Sequence, residues 1–377
     1  LGLEGDLVAP AVSGALLIGK ASKVAVPPGF VRGVPPGVRA AWSCGALSRR
    51  GALRTAVDYV LPGPLRGDDV SLASLVRRRL GREVLERLVE PMLAASRSGS
   101  PEDVSLASGA PELDEIARSS RSLMRGVRRR GPVGAPELRG ISGGMERLVA
   151  ALVEDLQGRG AEVRTETRAE AVVRKAEAWS VATSAGTVAA DAVLVAAPPP
   201  RAAGLLAEVA PAAAALLAEV SFEDAAVVGL AYPAGAAPAP PGASGIIVTR
   251  EARRLITACA WFSSKWPHVS PPGGPDVIRA FVGPDGARLP ETELVARAAV
   301  EVASLTGAPA TPQDAVVARW RNALPVLRVG HQERIRRARE LLPEGVAVAG
   351  AGYDGSGLPD CIGSGARQAD RLSAARR

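Results

Sequence analysis

Aromatic side chains are scarce in this chain, with Phe, Tyr and Trp together making up 3% of its 377 residues. Proteins that hold single-stranded nucleic acid stack its bases on such rings, so the scarcity argues against a nucleic-acid partner. Cysteine and histidine are sparser still. Cys44, Cys259 and Cys361 lie far apart, as do His268 and His331. No C-x-x-C or H-x-x-x-H spacing is present to build a metal site, and no metal is expected. A disulfide framework is also missing, which suits a reducing, cytoplasmic compartment. Long apolar runs are absent too. The longest uncharged stretch, Ala225 to Thr249, is broken by Pro233, Pro238, Pro240 and Pro241, whereas a membrane-spanning helix needs about 20 consecutive apolar residues. No targeting segment is visible.

What is present describes a globular protein. Hydrophobic residues account for 47% and charged ones for 23%, with 41 Gly and 31 Pro. At roughly 100 to 200 residues per domain, two or three folding units are expected. The net charge of +7 comes almost wholly from Arg, because Lys occurs only at 20, 23, 175 and 265. Such a balance fits a solvated basic surface, or attraction to an acidic small molecule or a membrane surface. The runs Arg77 to Arg79 and Arg128 to Arg130 read as exposed helix faces.

Leu3 to Pro64 is rich in Gly and Pro and reads as strands and turns, with apolar runs at Ala15 to Ile18 and Val24 to Val26. From Asp69 the period becomes helical through Leu72, Leu75, Val76, Leu80, Leu85, Leu88 and Met92, with Pro91 as a kink or stop. A second helical pattern runs from Leu113 to Val127. After Gly143 and Gly144 comes a helix with apolar positions Leu148, Val149, Leu152 and Leu156. Strands are then expected at Glu162 to Thr165, Ala171 to Arg174, Trp179 to Ala182 and, as one buried strand, Val188 to Ala197. Further strands at Ala225 to Tyr232, Gly245 to Thr249, Leu255 to Phe262 and Val277 to Val282 read as a mostly antiparallel sheet, followed by a helix from Leu294 to Leu305. The end returns to α/β with a helix from Gln332 to Leu342, a strand from Val346 to Ala349, a glycine turn and a helix from Leu358 to Leu372.

The glycine turn carries a literal G-x-G-x-x-G at Gly350, Gly352 and Gly355, directly after a strand. A dinucleotide fold would need a second strand and an acidic residue about 20 positions further on, and the residues after Gly355 hold one helix only. What remains is a strand, a turn without side chains and a helix N-terminus, with Pro359 in its first turn. Such an end offers free N–H groups and partial positive charge to an anion or an electron-rich ring. The alternative is a tight turn that needs φ > 0 at several positions.

These residues resemble a known family. GAGYDGSGLPDCIGSG from Gly350, ISGGMERLVAAL from Ile141 and SSKWPH from Ser263 are similar to segments of the flavin-dependent porphyrinogen oxidases of haem synthesis. RRRLGREVLERLVEP from Arg77, LVAAPPPRAAGLL from Leu194 and RWRNALPVLRVGH from Arg319 fit the same family in the same order, over nearly the whole chain. The resemblance implies a mixed α/β (α+β) fold close to the monoamine oxidases. It would have a Rossmann-like FAD-binding domain, an antiparallel-sheet substrate domain and an inserted helical domain that can face the membrane. The implied division is 1–44 and 205–331 to the substrate domain, 45–137 to the helical domain, and 138–204 and 332–377 to the FAD domain. The implied reaction is oxidation of a carboxylate-bearing tetrapyrrole, coproporphyrinogen III or protoporphyrinogen IX, with oxygen as acceptor. A flavin amine oxidase of related fold, or an inactive homologue acting as a binding protein, are the alternatives.

By the same resemblance Gly355, Ser356, Gly357 and Leu358 touch the flavin ring, Ala169 the adenine end through strand backbone, and Trp320 lies near the ring. Lys20, and less so Lys23, with Lys265 in SSKWPH, are the candidates for substrate carboxylates. No catalytic side chain is singled out, since the flavin carries the redox chemistry. His268, His331 and Cys361 read as structural. The family's first strand, glycine turn and helix for the FAD pyrophosphate are not found in the chain, which starts at Leu1, so the chain is expected to lack that segment and to bind FAD weakly on its own. MLAASRSGSPED after Pro91 and Leu327 depart from the family's aromatic-containing pattern.

Overall fold

The structure, a computed structural model, describes residues 1–20, 22–61, 63–94, 99–131, 138–175 and 178–374. The centre of the segment after Pro91 and the domain boundary expected at 137 lie outside the described residues.

The largest element is a seven-stranded sheet. Its order is Asp314–Pro325, Phe222–Tyr232, Asp276–Val282, Ile256–Trp261, Gly245–Val248, Ala15–Ile18 and Lys23–Ala25. Neighbours are antiparallel except Gly245–Val248 against Ala15–Ile18, which run parallel. Period-two alternation sends Ala226, Val228, Leu230 and Tyr232 to one face with Ile278, Ala280 and Val282. There they pack on Leu294, Ala298 and Val302 of the helix Glu291–Thr306. The opposite face keeps half-buried residues over its centre and is covered at one end, where Leu17 and Ile247 join the helical core.

A second core unites two parallel strands, Val193–Val195 and Val346–Val348, with a three-stranded antiparallel meander, Ala169–Lys175, Ala178–Thr183 and Gly186–Ala190. The helices Pro199–Leu206, Pro211–Ala218 and His331–Glu340 pack with them. The third core is helical and spans Val38 to Arg130. The fold is thus mixed α/β with mixed and antiparallel sheets, as the residues imply.

Several local expectations are corrected. Glu162 to Thr165 is not a strand. Val188 to Ala197 is two strands, parted at Asp191, because the chain turns there out of the meander into the parallel pair. The region before Pro64 holds the helices Val38–Ser43 and Arg49–Arg54. Pro199, Pro200 and Pro211 open helices that the pattern did not show, since a missing N–H costs nothing in a first turn. The long helix expected to Met92 ends at Leu80, where Gly81 adopts φ 96°. It resumes and widens into a π turn over Leu85–Val89. The helix Glu146–Gly158 buries none of its residues, and Val149, Leu152 and Leu156 stay exposed.

The helical core is pinned by a buried ion pair. Arg79, expected on an exposed helix face, is instead fully buried 3.2 Å from the equally buried Asp58. Asp58 also accepts from Ser122 Oγ and from the N–H groups of Leu123 and Met124, so it caps the helix Leu123–Arg130 from a distant part of the sequence. Arg79 donates further to the carbonyls of Gly63 and Arg121. Removing one partner strands a buried charge, so Asp58→Ala is expected to lower stability by about 3–5 kcal/mol, read as a lower urea midpoint. The double variant Asp58→Leu/Arg79→Met should recover much of that loss. A double variant no better than the single one would show that the charges themselves are not the cause.

Candidate functional site

The glycine turn follows the fully buried strand Val346–Val348, and Ala349 donates its N–H to the Val195 carbonyl 3.1 Å away. Gly352 N–H closes the turn onto the Gly355 carbonyl at 2.9 Å. A Cβ at Gly352 would come within 2.9 Å of the Phe222 ring, and one at Gly355 within 2.4 Å of Asp360 Oδ2. Gly355 also has φ 152°, a region side chains avoid. Between these glycines Tyr353 is buried, and its hydroxyl donates to the Ala197 carbonyl at 2.9 Å. His331 Nε2 lies 3.2 Å from the Tyr353 carbonyl. A carbonyl only accepts, so that contact places a proton on Nε2. Burial lowers the proton affinity of His331, which keeps the ring neutral.

Asp354 ties the turn to its surroundings. Its carboxylate receives Arg339 at 2.7 and 2.9 Å and Arg367 at 3.1 Å. Burial alone would raise its proton affinity. The hydrogen bonds from Arg339 and Ser364, with Arg367, outweigh that and hold the carboxyl well below the usual carboxylate range.

Beyond the turn, the helix Leu358–Ala374 begins with Asp360 Oδ2 accepting the Gly357 N–H at 3.1 Å. Among the described residues, the N–H groups of Gly355, Ser356, Leu358 and Asp360 have no protein acceptor, and Pro359 has none to offer. A run of free donors with no Cβ at Gly355 and Gly357 fits an electron-rich, flat group approached by backbone. Gly355, Tyr353, Asp354 and Asp360 also line a cavity of about 590 Å³ with Leu327, His331 and Ala107, which joins the turn to the helical core.

Trp320, 46% exposed, lies opposite Ala225. Pro325, past a bulge, lies opposite Phe222, the residue against Gly352. Trp320 and the glycine turn therefore share one end of the large sheet. Lys20 is exposed in the turn after Ile18 at that same end but five strand spacings away, about 24 Å at the usual interstrand distance. Lys265 follows Trp261 at the opposite end, half-buried, with its Nζ 5.6 Å from the Trp266 ring centre. Ala169 is exposed at the start of the meander opposite Thr183. The structure thus brings Gly355, Ser356, Gly357, Leu358 and Trp320 to one end, and leaves Lys20, Lys265 and Ala169 apart from them. Burial pushes the Cys259 thiol up to about 12, and burial followed by Asp360 raises that of Cys361, so neither is a ready nucleophile. The sequence reading passed over Arg279. Its signal is one charge inside the alternating strand Asp276–Val282, on the face away from the apolar core.

With this geometry in view, comparison with known proteins is decisive. The sequence matches the family described as flavin containing amine oxidoreductase over residues 26–373. The chain belongs to that family. It is 31% identical over 97% of its length, and 80% of the relative's, to the coproporphyrinogen III oxidase of Bacillus subtilis (strain 168). A crystal structure from Exiguobacterium sp. 255-15, of a protein assigned as a protoporphyrinogen oxidase, superposes with TM-score 0.85 at 28% identity, covering 98% of this chain and 82% of that one. Cyclohexylamine oxidase from Brevibacterium oxydans shares the fold, with TM-score 0.64 at 13% identity over 99% of this chain and 83% of that one. The protein is a flavin-dependent oxidoreductase, and its cofactor is FAD. No helix among the described residues is long and apolar enough to cross a membrane.

The Asp354 clamp generates a pH prediction. A carboxylate whose proton affinity is lowered by folding adds stability above its unfolded pKa of about 4, and that stability fades as acid protonates the folded form. Asp354→Asn is expected to lose about 1–3 kcal/mol at neutral pH, with the gap to the original protein narrowing below about pH 4. Urea midpoints across that range provide the check. A gap independent of pH would assign the loss to packing instead of charge.

Proposed function

We propose that the chain oxidises a porphyrinogen to the porphyrin in haem biosynthesis, with coproporphyrinogen III as substrate and protoporphyrinogen IX as the alternative. The observation that carries this reading is the 31% identity, over nearly the whole chain, to a coproporphyrinogen III oxidase. Oxygen is the proposed acceptor. FAD, when bound, supplies the acceptor for the hydride removed from the substrate in each two-electron step.

The chain's own residues orient and shield. In this reading Gly355, Ser356, Gly357 and Leu358 lie against the pyrimidine side of the ring. The free N–H groups there stabilise negative charge that develops on reduction, as a preorganised electrostatic contribution. Trp320 would help hold the ring, and the Ala169 backbone the adenine end. Lys20 and Lys265 would meet substrate carboxylates. The free N–H groups at the turn and the glycines' missing side chains support the ring contact.

The working division of the chain is 1–44 and 205–331 for substrate, 45–137 for the helical insert, and 138–204 and 332–377 for FAD. A cytoplasmic protein touching the membrane surface through its helical part fits exposed Trp42, Leu53 and Val60 beside Arg49 and Arg50. The shared fold with an amine oxidase keeps amine oxidation as the competing reaction.

Flavin-loaded protein given coproporphyrinogen III is expected to develop porphyrin fluorescence. Peroxide from amines with no porphyrin formed would transfer the assignment to amine oxidation. Gly355→Val should weaken FAD binding at least tenfold with far-ultraviolet dichroism unchanged, because the added side chain meets Asp360 and disfavoured backbone. Unchanged FAD occupancy and turnover would leave only a tight turn at that position.

A further inference from the structure

On the large sheet, the face turned away from the helix Glu291–Thr306 carries one cation near its centre. Register places Arg279 between Gly229 on one neighbouring strand and Ala260 on the other, so no long side chain flanks it across the sheet. Val316 follows opposite Gly229, and Trp320 stands four residues further along that strand on the same face. Arg279 therefore lies about 14 Å along the strands and about 10 Å across them from Trp320, a span of the order of a tetrapyrrole with its side chains.

The guanidinium sits between two rings, 4.7 Å from the centre of Phe262 and 5.6 Å from that of Phe281. Arg32, Arg118, Arg147, Arg334 and Arg339 each pair with a carboxylate. Arg279 forms no ion pair among the described residues, and Asp276 on its own strand is engaged by the Ala237 N–H. Phe262 opens the short helix Phe262–Lys265, which packs on the strand of Arg279 and ends in Lys265, a second half-buried cation with no carboxylate partner among the described residues. A half-buried guanidinium held by rings and lacking an anion is electrostatically incomplete. Burial lowers the proton affinity of both side chains, which agrees with that geometry.

We infer that Arg279 anchors a propionate of the tetrapyrrole, with the macrocycle lying from Gly229 past Val227, Ala318 and Ala225 toward Trp320. Phe262 and Phe281 hold the planar fork so that it presents two parallel donors to a carboxylate, a geometry Lys would not reproduce. This assignment rests on the porphyrinogen reading. It makes Arg279 a determinant of specificity for carboxylate placement, separate from the flavin contacts.

The test titrates flavin-loaded protein with coproporphyrin III and, separately, with its tetramethyl ester, following porphyrin fluorescence. Arg279→Gln is expected to weaken coproporphyrin III binding about tenfold and to leave the ester, which carries no charge, bound as before. In turnover, KM should rise with kcat nearly unchanged, and Arg279→Lys should restore only part of the affinity. Flavin absorbance and the urea midpoint identify variants that fold normally. If a normally folded Arg279→Gln binds coproporphyrin III as tightly as the original protein, or loses acid and ester equally, the anchor is refuted while the porphyrinogen reading stands. If the original protein binds neither porphyrin, the porphyrinogen reading falls and the anchor falls with it.

Discussion

The glycine turn is held in place by one carboxylate. Asp354 receives Arg339 from the helix His331–Glu340 and Arg367 from the C-terminal helix, so two elements are fixed to the residue next to Gly355. The turn's glycines have no side chains to pack, and Gly350 is held by its N–H to Ser364 Oγ at 3.2 Å. Tyr353 adds the other anchor by burying its ring and bonding to the Ala197 carbonyl at the end of the neighbouring parallel strand. A site formed of backbone needs this kind of support. The groups that meet a ligand are peptide N–H groups, and only their neighbours can keep them in position.

The large sheet imposes the second constraint. Because side chains alternate between faces, packing one face against Glu291–Thr306 commits the other to a different use. The helical core covers one end of that second face through Leu17 and Ile247, and the glycine turn meets the strand end at Phe222. What remains between them is a strip of Gly229, Val227 and Ala225 beside Arg279 and Phe281. In the proposed reading the active region lies where three separately cored parts of the chain meet.

How much of this was legible beforehand varied with the physics of each segment. Short apolar runs, such as Ala15–Ile18 and the one from Val277 to Val282, were readable to within a residue, because burial writes itself into the sequence. The C-terminal strand, turn and helix were equally clear from their glycines. The helices Pro199–Leu206 and Pro211–Ala218 were not, since proline marks both the end of a strand and the first turn of a helix. The Asp58 cap on Leu123 and Met124 joins residues more than 60 positions apart, and no local pattern announces such a partner. Arg279 escaped notice for a related reason. A lone arginine in an Arg-rich chain looks like surface until register shows which face it occupies and that no carboxylate meets it.

The bare apolar stripe of the helix Glu146–Gly158 has a calorimetric consequence. Heat-capacity increments and denaturant sensitivities scale with the apolar surface that unfolding newly exposes. Val149, Leu152 and Leu156 are already in water in the folded protein, so melting this helix releases only what Leu148, Ala151 and Val153 keep half-buried. Its contribution to the curvature of stability with temperature is therefore small. It is held mainly by its own hydrogen bonds, and fraying there should precede the cooperative transition of the three cores.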